Sequence, residues 1–522
     1  MKEKPEASFT AEEHFARGLS YVTRQNHLSA LESFRAASKA LPATAPADAT
    51  ARYLFAQGVT LGELNKSEDA IAVYDEIANR FGKDESPDVR ELVAMGLMRK
   101  GAIFGILGKL EDAFAVFNEI DARFGKDVSP GVRVQIARAI FYKGVALGKL
   151  GKSADEIAAY DELDSRFGNE ESAVVREQVA MGLCNKGVAL GTLGRLDYEI
   201  AVYDEIDSRF GKNVEPPLRV QVAKGLSNKG VALYAQGKLD DAIAVYEEID
   251  SRYGKDESSS VRQQVAAGLC YKGLTLNKQG KYAKAISVCE ELDRRFGQDE
   301  VPEVRKAVVQ GLCNKGLSLS MLKKSEEAVV VYDEIDTRFG LDESPGVREQ
   351  VANALCGKGF ALGELNKSDE AFTIYKEVGV RFGKDESSGV QKQVTNAGNS
   401  LAFRQMISAK QHWQDSLRKE TLLTAIKGLE SALLLCSDDA RAMVSGNLGY
   451  ALFLRGDRTA AMEPTRHCLK LGGETALSAQ QEDAKLHRVE PEDSDYEALL
   501  TRLWAELHPA TGPSGAGSQE DS

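Results

Sequence analysis

An Arg-Phe-Gly triplet returns along this chain at a fixed interval. Its aromatic-glycine pairs are Phe81-Gly82, Phe124-Gly125, Phe167-Gly168, Phe210-Gly211, Tyr253-Gly254, Phe296-Gly297, Phe339-Gly340 and Phe382-Gly383, and every step is 43 residues. A second glycine keeps the same step: Gly58, Gly101, Gly144, Gly187, Gly230, Gly273, Gly316 and Gly359. A period of this size means one supersecondary unit repeated, each burying its apolar face only against its neighbours. That constraint comes before any other, because it excludes a single central core.

The unit reads as two helices. A large apolar residue precedes the second glycine by four positions (Leu54, Leu97, Ile140 and onward) and another follows it by three (Leu61, Phe104, Leu147 and onward). These offsets put one small and two large residues on one helical face. This is helix A; in the fourth copy the pattern predicts it over about 175–193. A short polar turn such as 194–197 leads to helix B, which in the fifth copy carries Ala242, Tyr246 and Ile249. Helix B ends at Arg252-Tyr253-Gly254, and the glycine is expected to take a left-handed conformation there. Ser86-Pro87, Ser129-Pro130 and Ser344-Pro345 then suit an N-cap followed by Pro in the first turn of the next helix A. No alternating β-type stretch interrupts the array.

In residues 11–44, Gly18, Tyr21, Ala30, Phe34, Ala37 and Pro42 fall in an order and spacing that resembles the tetratricopeptide repeat, whose ordinary length is about 34 residues. The segment 446–473, with Gly449, Leu452 and Ala461, resembles another copy. The eight longer units look like a lengthened, 43-residue variant of bacterial type. A period near 43 also suits HEAT or armadillo arrays, but the Gly-to-Ala-to-aromatic spacing favours tetratricopeptide. The resemblance implies an all-α, right-handed superhelical solenoid of stacked helix-turn-helix repeats, with A helices lining the concave side. The expected organisation is a flexible N-terminus (1–10), an ordinary repeat (11–44), eight 43-residue repeats (45–383) and a degraded helix pair (384–436). A final repeat (437–473), a linker and capping helix (474–507) and a disordered tail (508–522) follow. In the degraded pair Ala402 stands in the glycine slot and Gln405 in the leucine slot.

Charge runs in columns. Arg80 and its seven equivalents to Arg381 each follow a Glu four residues earlier, a favourable order worth roughly 0.3–0.5 kcal/mol per exposed pair. Lys precedes the helix-A glycine in seven copies, from Lys100 to Lys358. A ligand clamp is one reading; packing of the stem with the ammonium meeting an acid of helix B, such as Asp161 or Asp204, is the stronger one. Glu156 and Glu199 break the Ala slot of helix B. A carboxylate in a close helix crossing needs water or a cation, so either the helices splay there or the carboxylate finds a Lys. A functional pocket at these two units is the alternative.

Catalytic and metal chemistry find little support. The stretch ALGKLGKS (146–153) imitates a phosphate-binding loop, but such a loop follows a β-strand, and here the stretch is the end of helix A and the turn after it. Shifted by 43, the same slot reads ALGTLGRL, ALYAQGKL and ALGELNKS. Gly151 is expected to end helix A, with helix B starting at Ser153 or Asp155. The six histidines are His14, His27, His412, His467, His487 and His508, so the commonest acid-base group is missing between 28 and 411. Cys184, Cys270, Cys313 and Cys356 share a helix-A column; neighbouring axes roughly 8–10 Å apart cannot converge thiolates on one zinc. No cofactor, metal or catalytic residue is expected.

With 43% hydrophobic and 28% charged residues over 522 positions, the chain can form a folded array. A formal charge of −13 speaks against nucleic acid and anionic membrane surfaces. No segment has the length and apolarity to cross a bilayer, the first residues lack a secretory h-region, and seven cysteines do not make a disulfide framework, so a cytoplasmic location is expected. The expected function is a non-catalytic scaffold that binds a protein or peptide segment in the groove lined by the A helices. The alternative is a regulatory sensor whose superhelix changes shape on binding a signalling peptide or small ligand. By resemblance, the groove residues are Arg52, Phe55, Met98, Arg99, Arg138, Phe141, Tyr142, Asn185, Lys224, Asn228, Tyr234, Tyr271 and Asn314.

Overall fold

A computed structural model describes residues 9–42, 44–212, 215–436 and 438–509. The expected flexible N-terminus lies outside the described residues except for Phe9 and Thr10, as does the expected disordered tail beyond Pro509. All regular structure among the described residues is helical, with no strand. The stacked helix-turn-helix architecture read from the period is the observed one. The chain divides into two compact units, Met1–Val265 and Ala266–Ser522.

From Pro87–Ile106 to Pro345–Glu364 every helix A spans 20 residues, and from Ser67–Phe81 to Ser368–Phe382 every helix B spans 15. The glycine of helix A is where the two meet. A Cβ at Gly144 would lie 2.6 Å from the Tyr160 ring, and one at Gly101 would lie 2.4 Å from the Phe117 ring. Only hydrogen at that position lets the helix-B aromatic seat fully, and Tyr74, Tyr160, Tyr203 and Tyr246 are buried as a result. Each buried ring contributes about 1.5–3 kcal/mol.

The turns differ from expectation in one respect. Left-handed backbone occurs at the A-to-B turn, where Gly151 has φ +72° and Lys152 N–H reaches back to Leu147 O at 3.0 Å. Helix A stops at Lys149 and helix B starts at Ser153. At the end of helix B the glycine is right-handed: Gly254 has φ −60° and Gly168 φ −59°. Glycine is needed there for space. A Cβ at Gly168 would meet Asp164 O at 2.5 Å and the Arg209 guanidinium at 2.9 Å.

That guanidinium explains the Arg column. Arg166, Arg209, Arg252, Arg338 and Arg381 cross to the preceding repeat as well as pairing with their own helix. Arg252 lies 2.7 Å from Asp207 and donates to Gly211 O at 2.8 Å, while holding Glu248 at 2.8 Å. Arg166 does the same with Asp121, Gly125 O and Glu162, and Arg209 with Asp164, Gly168 O and Glu205. In the second unit Arg338 clasps Asp293 and Gly297 O, and Arg381 clasps Asp336 and Gly340 O. The column is therefore an inter-repeat joint, stronger than the exposed helix pairs expected.

A second joint orders the loop between repeats. Proline takes the first helical turn as expected, but Ser86, Ser129 and Ser344 make no side-chain cap. Instead Asp127 accepts from the Ser129 backbone N–H at 2.8 Å, and Ser129 Oγ accepts from Arg90 of the preceding helix A at 3.2 Å. Arg90 also pairs with Asp127 at 2.6 Å. Arg305 and Arg348 meet Asp342 and Asp385 in the same way, both at 2.8 Å.

The second unit ends differently. Helix Ser388–Gln411 has 24 residues, followed by Arg418–Leu435, Asp438–Arg455 and Arg458–Lys485. The last of these breaks at Gly473, whose φ of 57° and ψ of −146° turn the chain back, so 474–485 is a second helical arm where the sequence reads as linker. Helix Glu492–Leu507 is joined to the unit by a buried pair, Lys410–Asp493 at 3.1 Å, both side chains at 0% exposure. Tyr450 Oη and the carbonyls of Asp483 and Ala484 also accept from Lys410.

Arg252→Ala is expected to cost about 1–3 kcal/mol, because it leaves the Asp207 carboxylate and a carbonyl unpaired. Among the described residues Arg80 forms an ion pair only with Glu76, and Arg80→Ala is expected to cost less than about 0.5 kcal/mol. Urea denaturation of the two variants measures the difference.

Candidate functional site

In the first unit, the residues expected to line a groove divide between surface and interior. Arg52 is exposed and paired with Asp48 at 3.0 Å, Arg99 is exposed, and Tyr142 is 41% exposed with its ring stacked on Phe117 and edge-on to Phe141. Arg138, Lys224 and Tyr234 are half-buried, and Phe55 packs against Tyr74. Met98 and Phe141 are buried. Both stand three residues before the glycine and are interior in this array. In the second unit Tyr271 is half-buried, and Asn314 is interior, its amide donating to Cys270 O at 3.3 Å. Asn185 donates to Tyr160 Oη at 3.2 Å, and Asn228 bonds to Tyr203 in the same relation.

The Lys column is engaged by acids. Lys100 meets Asp75, Lys186 meets Asp161 and Lys229 meets Asp204, each at 2.5 Å, and Lys358 meets Asp333 at 2.6 Å. The packing reading is the observed one. Among the described residues no Lys pairs with Glu156 or Glu199, and both carboxylates sit close against helix A. A Cβ at Gly148 would lie 2.6 Å from the Glu156 carboxylate, and one at Gly191 would lie 2.5 Å from Glu199. Glycine one turn after the helix-A glycine thus makes the room. Tyr203 donates to Glu199 at 3.2 Å, and Tyr160 bonds Glu156 likewise. Burial raises both carboxyls, the tyrosine bonds opposing it in part. These are filled positions, so the irregularity that favoured a shape-changing sensor has a packing explanation.

The cysteines are also interior groups. Cys184 donates to Gln221 O at 3.5 Å and Cys313 to Gln350 O at 3.6 Å, and burial pushes both thiols up to about 12. No group of three metal-binding side chains occurs among the described residues.

A large concavity lies in the second unit. A cleft of about 1380 Å³ is bounded by residues from 360 to 487. Its aromatic wall is Phe360, Phe372, Tyr375 and Phe403. The broken helix supplies the opposite side: the turn at Gly473 brings 474–485 back, and Thr475, Ala476, Gln480 and Asp483 line the space. On its floor Asn447 donates to Asn399 at 3.0 Å, both 5% exposed. Gln480 accepts from Tyr496 at 2.8 Å. Sequence reasoning passed over this site because it lies in the degraded repeat. One signal was available: Leu274, Leu317, Phe360 and Phe403 form an apolar 43-residue column immediately after the glycine slot, with Leu317 43% and Phe360 53% exposed and the other two half-buried.

Asp483 is the titrating group of this wall. Burial raises its carboxyl to about 6, with Lys410 pulling the other way. The folded state therefore holds this proton above the ordinary carboxylate range. Stability from this group is fully present below about pH 4 and is lost as pH rises through about 6. Asp483→Asn is expected to remove that loss and to raise stability at pH 7.5 by on the order of 1–2 kcal/mol, with little change at pH 4. Thermal melts at the two pH values measure it; a gain of equal size at both would reject the assignment.

Comparison with protein-family models gives no match, and comparison with curated proteins gives none. Among solved structures, the chain is similar to a tetratricopeptide repeat protein from Parabacteroides merdae (TM-score 0.35, 16% identity, 58% of this chain and 98% of that one). It is similar also to the apo form of RapI (TM-score 0.45, 10% identity, 73% and 97%) and to the apo form of the quorum sensor NprR from B. thuringiensis (TM-score 0.41, 13% identity, 71% and 98%). These similarities concern helix arrangement and carry no functional argument. The repeat itself, with its glycine-aromatic crossing between two helices, is tetratricopeptide-like.

Proposed function

We propose that this chain is an interaction scaffold that binds a segment of another polypeptide, and that the cleft between residues 360 and 487 is its principal site. One observation carries the reading: about 1380 Å³ of concave space walled by aromatics and floored by buried amides. Small-molecule pockets run to roughly 300–1,000 Å³, so the space suits a larger occupant. Aromatic walls anchor apolar side chains. An Asn amide offers the donor and acceptor that a peptide backbone requires. No helix of the described residues is long and apolar enough to cross a membrane.

In the first unit, a second contact surface on helix A is proposed from Arg52, Arg99, Arg138, Tyr142 and Lys224, with Asn185 and Asn228 at its margin. The partial exposure of these side chains supports it. Scaffolding without catalysis is the preferred reading because the repeat acids and lysines are engaged with one another.

A photo-crosslinking amino acid at Met443, which lines the cleft and is 50% exposed, is expected to capture a partner polypeptide in cells. The same group at Val380, exposed and outside the cleft, is expected to capture none. Equal adducts at both positions would remove the cleft from the account.

A further inference from the structure

We propose that the cleft takes a basic amphipathic segment, in which Lys or Arg side chains accompany large apolar ones; this rests on the reading of the cleft as a polypeptide site. The wall and the charges point to the same occupant. Phe360 and Phe372 are exposed faces of the wall, the first by 53% and the second by 37%. Aromatic faces of this kind hold an apolar side chain and also attract a cation placed over the ring.

The carboxylates bordering the cleft are Glu364, Asp369, Glu420 and Asp483, against one guanidinium, Arg404; Lys410 acts on Asp483 from behind the wall. Arg404 is held against the wall, over the Tyr375 ring at 5.7 Å and toward Gly359 O at 3.4 Å. Glu364 reaches Lys323 at 3.2 Å. Among the described residues Asp369 and Glu420 have no cationic partner.

The floor supplies an independent observation. Asn399 and Asn447 are each 5% exposed, and the one bond between them engages Asn447 Nδ2 and Asn399 Oδ1. Asn399 Nδ2 and Asn447 Oδ1 are left as a donor and an acceptor, and both residues line the cleft. This pair is not among the buried polar groups left without a partner, so its free donor and acceptor are open to the cleft. It matches the C=O and N–H of one residue of a bound backbone. The backbone is thus held by the floor, apolar side chains by the wall, and cations by Asp369 and Glu420 at the border.

The test uses the full chain and three dye-labelled synthetic peptides read by fluorescence anisotropy. They share Leu positions and carry Lys, Ser or Glu at the others. The Lys/Leu probe is expected to bind saturably, more weakly as salt is raised, and at least tenfold more tightly than the Glu/Leu probe. Asp369→Asn with Glu420→Gln is expected to weaken the Lys/Leu probe roughly three- to tenfold and to leave the Ser/Leu probe unchanged. Phe360→Ala with Phe372→Ala is expected to weaken both. All four positions are exposed or at the border, and an unchanged circular-dichroism melt certifies the fold. A Glu/Leu probe that binds as tightly, or charge variants without effect, would overturn the basic occupant and leave the cleft standing. Failure of every probe to bind, or binding indifferent to the Phe360 and Phe372 changes, would overturn both.

Discussion

The rest of the structure depends on one contact, the helix-B aromatic seated on the helix-A glycine. Tyr160 against Gly144 and Tyr203 against Gly187 bring the two helices of a repeat closer than any side chain at the glycine would allow. The approach sets the angle of the pair and buries the ring, and the buried ring supplies much of what a repeat can gain alone. Where the aromatic is absent the crossing persists in a smaller form: a Cβ at Gly273 would lie 2.9 Å from the Cys289 sulfur. Asn185 and Asn228 then bond to the tyrosine hydroxyls from the next helix A, so the same ring joins one repeat to the following one.

Between repeats the chain relies on charge with directional hydrogen bonds. The Arg at the end of helix B meets an acid and a carbonyl of the preceding repeat, and the Arg near the start of helix A meets the acid that orders the next loop. Both joints link nearest neighbours only. Stability of such an array is close to a sum of repeat and interface contributions. These half-buried, multiply bonded guanidinium groups are worth more than isolated surface pairs, because each satisfies a carbonyl that would otherwise lack a partner. At the end of the second unit the device changes to a fully buried Lys410–Asp493 pair with Tyr450, which docks the last helix. Removing one partner of a pair like this leaves a charge in the interior, typically worth 3–5 kcal/mol.

Much of the fold was legible because its determinants recur. Gly58 to Gly359 and Phe81 to Phe382 expose the two helices, their facing residues and the turn at Gly151, which removes any phosphate-loop reading of ALGKLGKS. What recurrence could not reveal was the partner of each residue. The glycine after Arg-Phe reads as a left-handed cap, yet its φ is near −60°, and the space is taken by an Arg 41 residues on. Glu199 reads as a misfit until Gly191 is seen opposite. Met98, Phe141 and Asn314 read as groove residues, but their side chains turn into the stack. The cleft was least legible: its walls come from residues scattered between 360 and 487, most of them after the period fails.

The sequence by itself determined the repeat, its helix pair, the positions of its turns and the excess of acid over base, since each is carried by local spacing and composition. Only the tertiary structure decided which acid each Arg reaches, which polar side chains remain for a ligand, and that the turn at Gly473 folds 474–485 back to enclose a cleft. The physical reason is range. Helix periodicity is written in neighbours three and four residues apart, whereas a joint or a cleft depends on side chains brought together from different repeats, and nothing in their local spacing records the meeting.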